Sequence, residues 1–169
     1  MKTLLAAALA ALMLQSPAKP LVDYSGKWQL DTARSRNLPA FYAGIASHTL
    51  DVTQTETHLG VGVVIALRDA QQDTLRFDYA LDGSEVHTRS PIRTPQGRVY
   101  LPTTLKARMD EAGAVHITIE RQLQTPAGPR TVTGTEEWRL SDDRSTLTVR
   151  RLDGTPRGPI DTDMVFVRR

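Results

Sequence analysis

The chain of 169 residues contains no cysteine. That absence removes disulfides, thiolate metal ligands, a cysteine nucleophile and a lipid anchor on cysteine together. Aromatic residues are sparse as well, at 5%, so a core has to be built mainly from aliphatic side chains. No apolar run reaches the roughly 20 residues that a membrane-spanning helix requires, the longest covering residues 3–14. The chain is therefore not expected to span a membrane. An excess of one charge is also missing. Lys and Arg number 21 against 19 Asp and Glu, and the signs alternate with no run longer than a pair such as Arg150-Arg151 or Arg168-Arg169. Without a basic stripe there is no electrostatic footprint for nucleic acid, and none is expected as a partner.

What the first residues do contain is an address. Lys2, the apolar stretch 3–14 and the small-residue exit Ser16-Pro17-Ala18 form the three parts of a secretory signal peptide. Cleavage is expected after Ala18, which would make residues 19–169 a single domain, periplasmic or secreted, and monomeric. Losing Lys2 lowers the formal charge from +2 to +1. Exported without disulfides, such a domain depends on its own packing.

From about His48 onward the chain repeats one pattern, short segments of alternating apolar and polar residues separated by turn chemistry. Leu75, Phe77, Tyr79 and Leu81 are spaced by two with Thr74, Arg76 and Asp78 between them, which predicts a strand with one wet face. Asp82-Gly83 then reads as a two-residue hairpin turn, with Val86 and Thr88 continuing the inner face. Further strands are predicted near 99–109, 115–123, 132–140, 147–151 and 164–167. Nine or ten strands joined by short turns, with no helix-period segment between them, describe an antiparallel meander. Closure into an up-and-down barrel would hide its edges, and Gly60, Gly62 and Gly134 inside strand patterns suit tight curvature. A two-sheet sandwich satisfies the same alternation and stays open as an alternative.

One connection breaks the rule of short loops. Residues 32–45 carry no clear period and include Pro39, Phe41 and Tyr42. Long ordered connections in compact domains tend to be functional, and this one places two aromatic rings where they could close a barrel mouth or simply anchor a surface loop.

The segment Asp23-Tyr24-Ser25-Gly26-Lys27-Trp28, together with the stretches around Tyr79-Ala80-Leu81-Asp82-Gly83 and Leu140-Ser141-Asp142-Asp143, resembles the Gly-x-Trp opening and strand pattern of small exported bacterial lipocalin-like (calycin-type) domains. The resemblance implies an up-and-down β-barrel of about 8–10 strands, with a pocket for a small, mostly apolar molecule. It also implies that Trp28 packs across the closed barrel end beneath an arginine from near the C-terminus, Arg168 or Arg169. Two departures are plain: no helix follows the last strand, and no disulfide pins the tail.

Strand parity supplies a candidate site. Val115, Ile117, Ile119, Arg121 and Leu123 share one face, which puts an arginine among apolar residues. The inner set of the next strand is Val132, Gly134, Glu136, Trp138 and Leu140, and that of the following strand is Leu147, Val149 and Arg151. If the hairpins pair as their loop lengths suggest, Gly134 lies between Arg121 and Arg151, with Glu136 diagonal to both. One carboxylate between two guanidiniums would leave a surplus positive charge, suited to a ligand carboxylate. The expected ligand-binding residues are Arg121, Glu136, Arg151 and Trp138, with Phe41 and Tyr42 from the long connection. The competing reading leaves these charges wet at an open barrel end.

Other chemistry is thinly represented. His48, His58, His87 and His116 have no metal-ligand spacing, and no metal or cofactor is expected. His87 falls opposite Asp78 across the Asp82-Gly83 turn, but on the outer face. Glu136 between two arginines is a poor general base at neutral pH. Three classes therefore stand in order: a barrel that binds a small apolar or amphipathic molecule, a cell-envelope adaptor with a filled barrel, and an enzyme on the same scaffold.

Overall fold

The computed structural model describes residues 22–69, 71–94, 97–154 and 158–169. The signal peptide assigned to residues 1–18 and its cleavage position lie outside the described residues. Ten strands follow one another: β1 (Gly26–Leu30), β2 (Ile45–Gln54), β3 (His58–Leu67), β4 (Gln72–Ala80), β5 (Asp82–Thr94), β6 (Gly97–Met109), β7 (Val115–Thr125), β8 (Gly128–Leu140), β9 (Thr146–Asp153) and β10 (Ile160–Arg168). They form one antiparallel sheet in the order β4-β3-β2-β1-β10-β9-β8-β7-β6-β5. A single ten-stranded sheet replaces the sandwich alternative. No helix among the described residues is long and apolar enough to cross a membrane.

Closure is nearly complete, and the break falls at an unexpected place. The two edges of the sheet, β4 and β5, are consecutive in the chain, and they approach one another without a backbone ladder. The predicted Asp82-Gly83 hairpin is therefore a corner. Asp82 Oδ1 accepts from the Ser84 amide at 2.9 Å and Gly83 takes a φ of +84°, as a turn needs, yet the strands leaving it splay apart. A bulge between Asp82 and Glu85 steers β5 onto β6. His87 consequently never meets Asp78; its ring lies 3.1 Å from Thr104 Oγ1 and 3.7 Å from Glu85. Val86 packs against the core while Thr88 is exposed.

The core fills one end of the barrel. Trp28, Tyr24, Leu59, Val115, Ile117, Leu147, Val149 and Phe166 are almost wholly buried there. Trp28 Nε1 donates to the Tyr24 carbonyl at 3.0 Å. The Tyr24 hydroxyl shares its one hydrogen between the Gly113 and Trp138 carbonyls, each 2.8 Å away, and burial pushes its pKa up to about 12.

Arg168, opposite Trp28 in the β1–β10 ladder, holds its guanidinium 4.3 Å above the indole ring. It donates to the Ser25 carbonyl at 2.9 Å and the Arg144 carbonyl at 3.1 Å. Gly26 makes this possible twice over: its φ of +138° disfavours any side chain, and a Cβ there would collide with the Arg168 guanidinium.

Candidate functional site

At the other end the wall carries charge. Strand alternation sends Arg121 of β7, Glu136 of β8, and Arg151 and Asp153 of β9 inward, all of them half-buried. The pairing differs from the expected one by two residues in each hairpin. Arg121 faces Val132, Glu136 faces Arg151 directly, and Gly134 lies between Ile119 and Asp153. The turn between β7 and β8 is tighter than its sequence suggests, since Thr125 already pairs with Gly128. A slip of two preserves every face, whereas a slip of one would have reversed them. Gly134 is a place of close approach, where a Cβ would stand 3.2 Å from Asp153 Oδ1 and 3.3 Å from the Leu152 carbonyl.

The two arginines occupy different situations. Arg151 Nε lies 2.8 Å from Asp153 Oδ2 and 3.7 Å from Glu136 Oε1, although its N–H is aligned with neither. These contacts are charge pairs without in-line hydrogen bonds. Burial disfavours the Arg151 charge, but Glu136 and Asp153 more than offset this, so its pKa stands above the ordinary guanidinium value. Glu136 in turn accepts from Trp138 Nε1 at 2.9 Å. The second carboxylate, Asp153, changes the balance read from sequence: two carboxylates meet two guanidiniums, and both crowd Arg151.

Arg121 has no such company. Its Nε donates to Ser90 Oγ at 3.2 Å. Ser90 and Thr103 hydroxyls are 2.7 Å apart and both buried, and Thr103 Oγ1 donates to the Leu101 carbonyl at 2.9 Å. Since Thr103 spends its hydrogen on that carbonyl, Ser90 must donate to Thr103 and accept from Arg121. The relay fixes the guanidinium by one nitrogen. Among the described residues its two Nη groups make no hydrogen bond and no carboxylate lies within 4 Å. Burial, then repulsion from Arg151, draw the Arg121 pKa below the ordinary value.

Both arginines line a cavity of about 580 Å³ at the open end, together with Asp153, Ile65, Leu75 and Met164. Phe41 and Tyr42 line it too, so the long connection does reach the mouth. It carries a single turn of 3-10 helix, Ala40–Gly44, and is tied down where Arg36 bridges Asp163. Phe41 remains 53% exposed against Tyr42, their ring centres 4.2 Å apart. Glu136 and Trp138 do not line the cavity. Trp138 is buried at the closed end beside Tyr24, and Glu136 joins it to Arg151. Arg98 of β6 and Asp73 of β4 form an ion pair on the cavity wall, across the break in the sheet.

Sequence reasoning missed His48. It follows the inward parity of Leu50 and Val52, just past a bulge between Ile45 and Ser47, and is only 6% exposed. Its Nδ1 lies 3.2 Å from the Tyr42 hydroxyl, and its ring meets Phe166 edge-on at 5.2 Å. Burial, helped by the Arg151 charge, lowers the His48 pKa to about 4. At neutral pH the ring is uncharged. Among the described residues no group of three or more His, Asp or Glu is placed to hold a metal ion.

No protein-family model matches the chain, and no curated protein matches it. Among solved structures, the chain is similar to zebrafish ileal bile acid-binding protein complexed with cholic acid. The identity is 11% over 86% of this chain and 98% of that one, with a TM-score of 0.44. What this barrel holds is therefore read from its own residues.

Proposed function

We propose that this chain is an exported binding protein whose open barrel end takes a small amphipathic molecule, with an acid group of that molecule at Arg121. One observation carries the reading. Arg121 sits half-buried on the wall of a cavity of about 580 Å³, held by Nε to Ser90 while its Nη fork has no protein acceptor among the described residues. A planar fork fixed at one corner is prepared for a bidentate carboxylate with little further loss of freedom. The apolar stretch of the ligand would lie along Ile65, Leu67, Leu75 and Met164, with Phe41 and Tyr42 over the mouth. Arg151, charge-paired with two carboxylates, and Glu136 and Trp138 behind it serve to hold the wall in place. A filled adaptor barrel would have no use for such a volume beside an unpaired guanidinium.

Calorimetric titration of the purified protein with octadecanoic acid and with octadecanol tests this. The acid should bind and the alcohol should bind at least tenfold more weakly, the difference disappearing in Arg121→Gln. Equal binding of acid and alcohol, or no binding of either, would remove the proposal. Export is tested separately by sequencing the N-terminus of the mature protein, expected to begin at Lys19.

A further inference from the structure

A second cavity, of about 570 Å³, lies between the long connection and the barrel wall, with Leu30, Leu38, Tyr42, Ile45, His48 and Arg68 around it. Tyr42 and Pro39 belong to both cavities. The two spaces meet at one tyrosine ring. Its hydroxyl reaches His48 Nδ1 at 3.2 Å and the soft sulfur of Met164 at 3.5 Å, and the ring packs against Phe41 and stacks on His48.

On the other side of the imidazole, Nε2 is buried and has no hydrogen-bond partner. A buried polar atom without a partner is rare enough in folded proteins to ask for a cause. Its neighbours give none: the ring is flanked by Tyr42 and Phe166, and the facing residue across the ladder is Ile65. An apolar residue would pack against those neighbours without leaving a polar atom unmatched. A histidine here is costly unless something else reaches it.

We infer that His48 is the second polar anchor of this site, taking a ligand hydroxyl at Nε2 from the cavity that His48 lines behind Tyr42. A hydroxyl suits either tautomer. If Tyr42 donates to Nδ1, the hydrogen sits on Nε2 and the ligand oxygen accepts it; in the other tautomer the ligand hydroxyl donates to the Nε2 lone pair. The inference deepens the acid-binding reading and rests on it. It narrows the ligand class to amphipathic acids that carry a hydroxyl group away from the carboxylate, in place of plain fatty acids. Such a molecule would span the Arg121 cavity and the space behind Tyr42, and preference over the unhydroxylated parent follows from the hydrogen bond gained at Nε2.

The experiment titrates the full protein with octadecanoic acid and a panel of its monohydroxy isomers, using wild type, His48→Phe and Arg121→Gln. At least one isomer should bind the wild type about tenfold more tightly than the parent acid, and in His48→Phe this preference should shrink to within about twofold. Nitrogen NMR of the wild-type imidazole gives a readout that does not depend on a variant folding: that isomer should shift the Nε2 resonance and the parent acid should not. Equal affinities across the panel, a preference that survives in His48→Phe, or an unmoved Nε2 resonance would each overturn the inference while leaving acid binding intact. If no acid binds, or Arg121→Gln alters nothing, the acid-binding reading itself is lost and the inference goes with it.

Discussion

The two ends of this barrel are built on opposite principles. At the closed end each polar group is matched: the Trp28 indole N–H, the Tyr24 hydroxyl and the Arg168 guanidinium all reach backbone carbonyls within 3.1 Å, and aromatic and aliphatic side chains fill the space between. At the open end, charges are half-buried, Arg121 holds on by one nitrogen, His48 has an unmatched one, and β4 and β5 share no ladder. The same alternating strands run through both ends, so the contrast comes from what the inward positions carry. Inward Leu, Val, Ile and Trp give rigidity; inward Arg, Asp, Glu and His give a lining able to respond.

Trp28→Ala should break the closed end most severely, lowering the unfolding free energy by about 3–5 kcal/mol, the usual range for removing a buried tryptophan. Denaturant unfolding measures it, and a loss under 1 kcal/mol would mean that this end is less tightly organised than its contacts state.

Acid should act next, and at the other end. His48 titrates near pH 4 in the folded protein against about 6.5 unfolded. In that interval the unfolded chain binds the extra proton, so its share of stability is intact above pH 6.5 and drains away as pH falls toward 4. The loss is about 3 kcal/mol on linkage grounds. A pH series of unfolding free energies should show this slope in the wild type and a shallower one in His48→Phe.

Arg121→Gln sharpens the contrast further, because it should separate binding from stability. Affinity for an amphipathic acid should drop tenfold or more, as for a lost charge-assisted hydrogen bond, while denaturant stability shifts by less than about 1 kcal/mol. A large stability loss would instead assign the residue to the scaffold. The smallest effect is expected from Arg98→Gln, which opens the ion pair across the break: the unfolding midpoint should stay near wild type, and bound acid should dissociate several times faster in stopped-flow exchange.

Much of this was legible in the alternation of single residues. Val115 to Leu123 and Val132 to Leu140 declared which side chains face inward, and Trp28 with Arg168 behaved as the Gly-x-Trp resemblance implied. Register was harder, because Thr125-Pro126-Ala127-Gly128-Pro129 reads as a five-residue loop although the ladder runs on to Thr125 and Gly128. Asp153 was passed over because the alternation was followed only as far as Arg151; in the barrel β9 runs on to Asp153 and gains one more inward position. The failed Asp82-Gly83 hairpin has a different cause. A turn sequence fixes local angles, but whether two strands then pair depends on how far the other eight have already curled the sheet.

One consequence concerns how such a protein is made. The first strand takes one of its two neighbours from the last: Arg169 donates to the Lys27 carbonyl, and Arg168 reaches Ser25 across 143 positions of chain. A ribosome working from the N-terminus thus delivers β1 long before β10 exists, and the seam between them cannot form until β10 has been made. The strand made first is among the last to gain both of its neighbours, however early the hairpins on either side of it have paired.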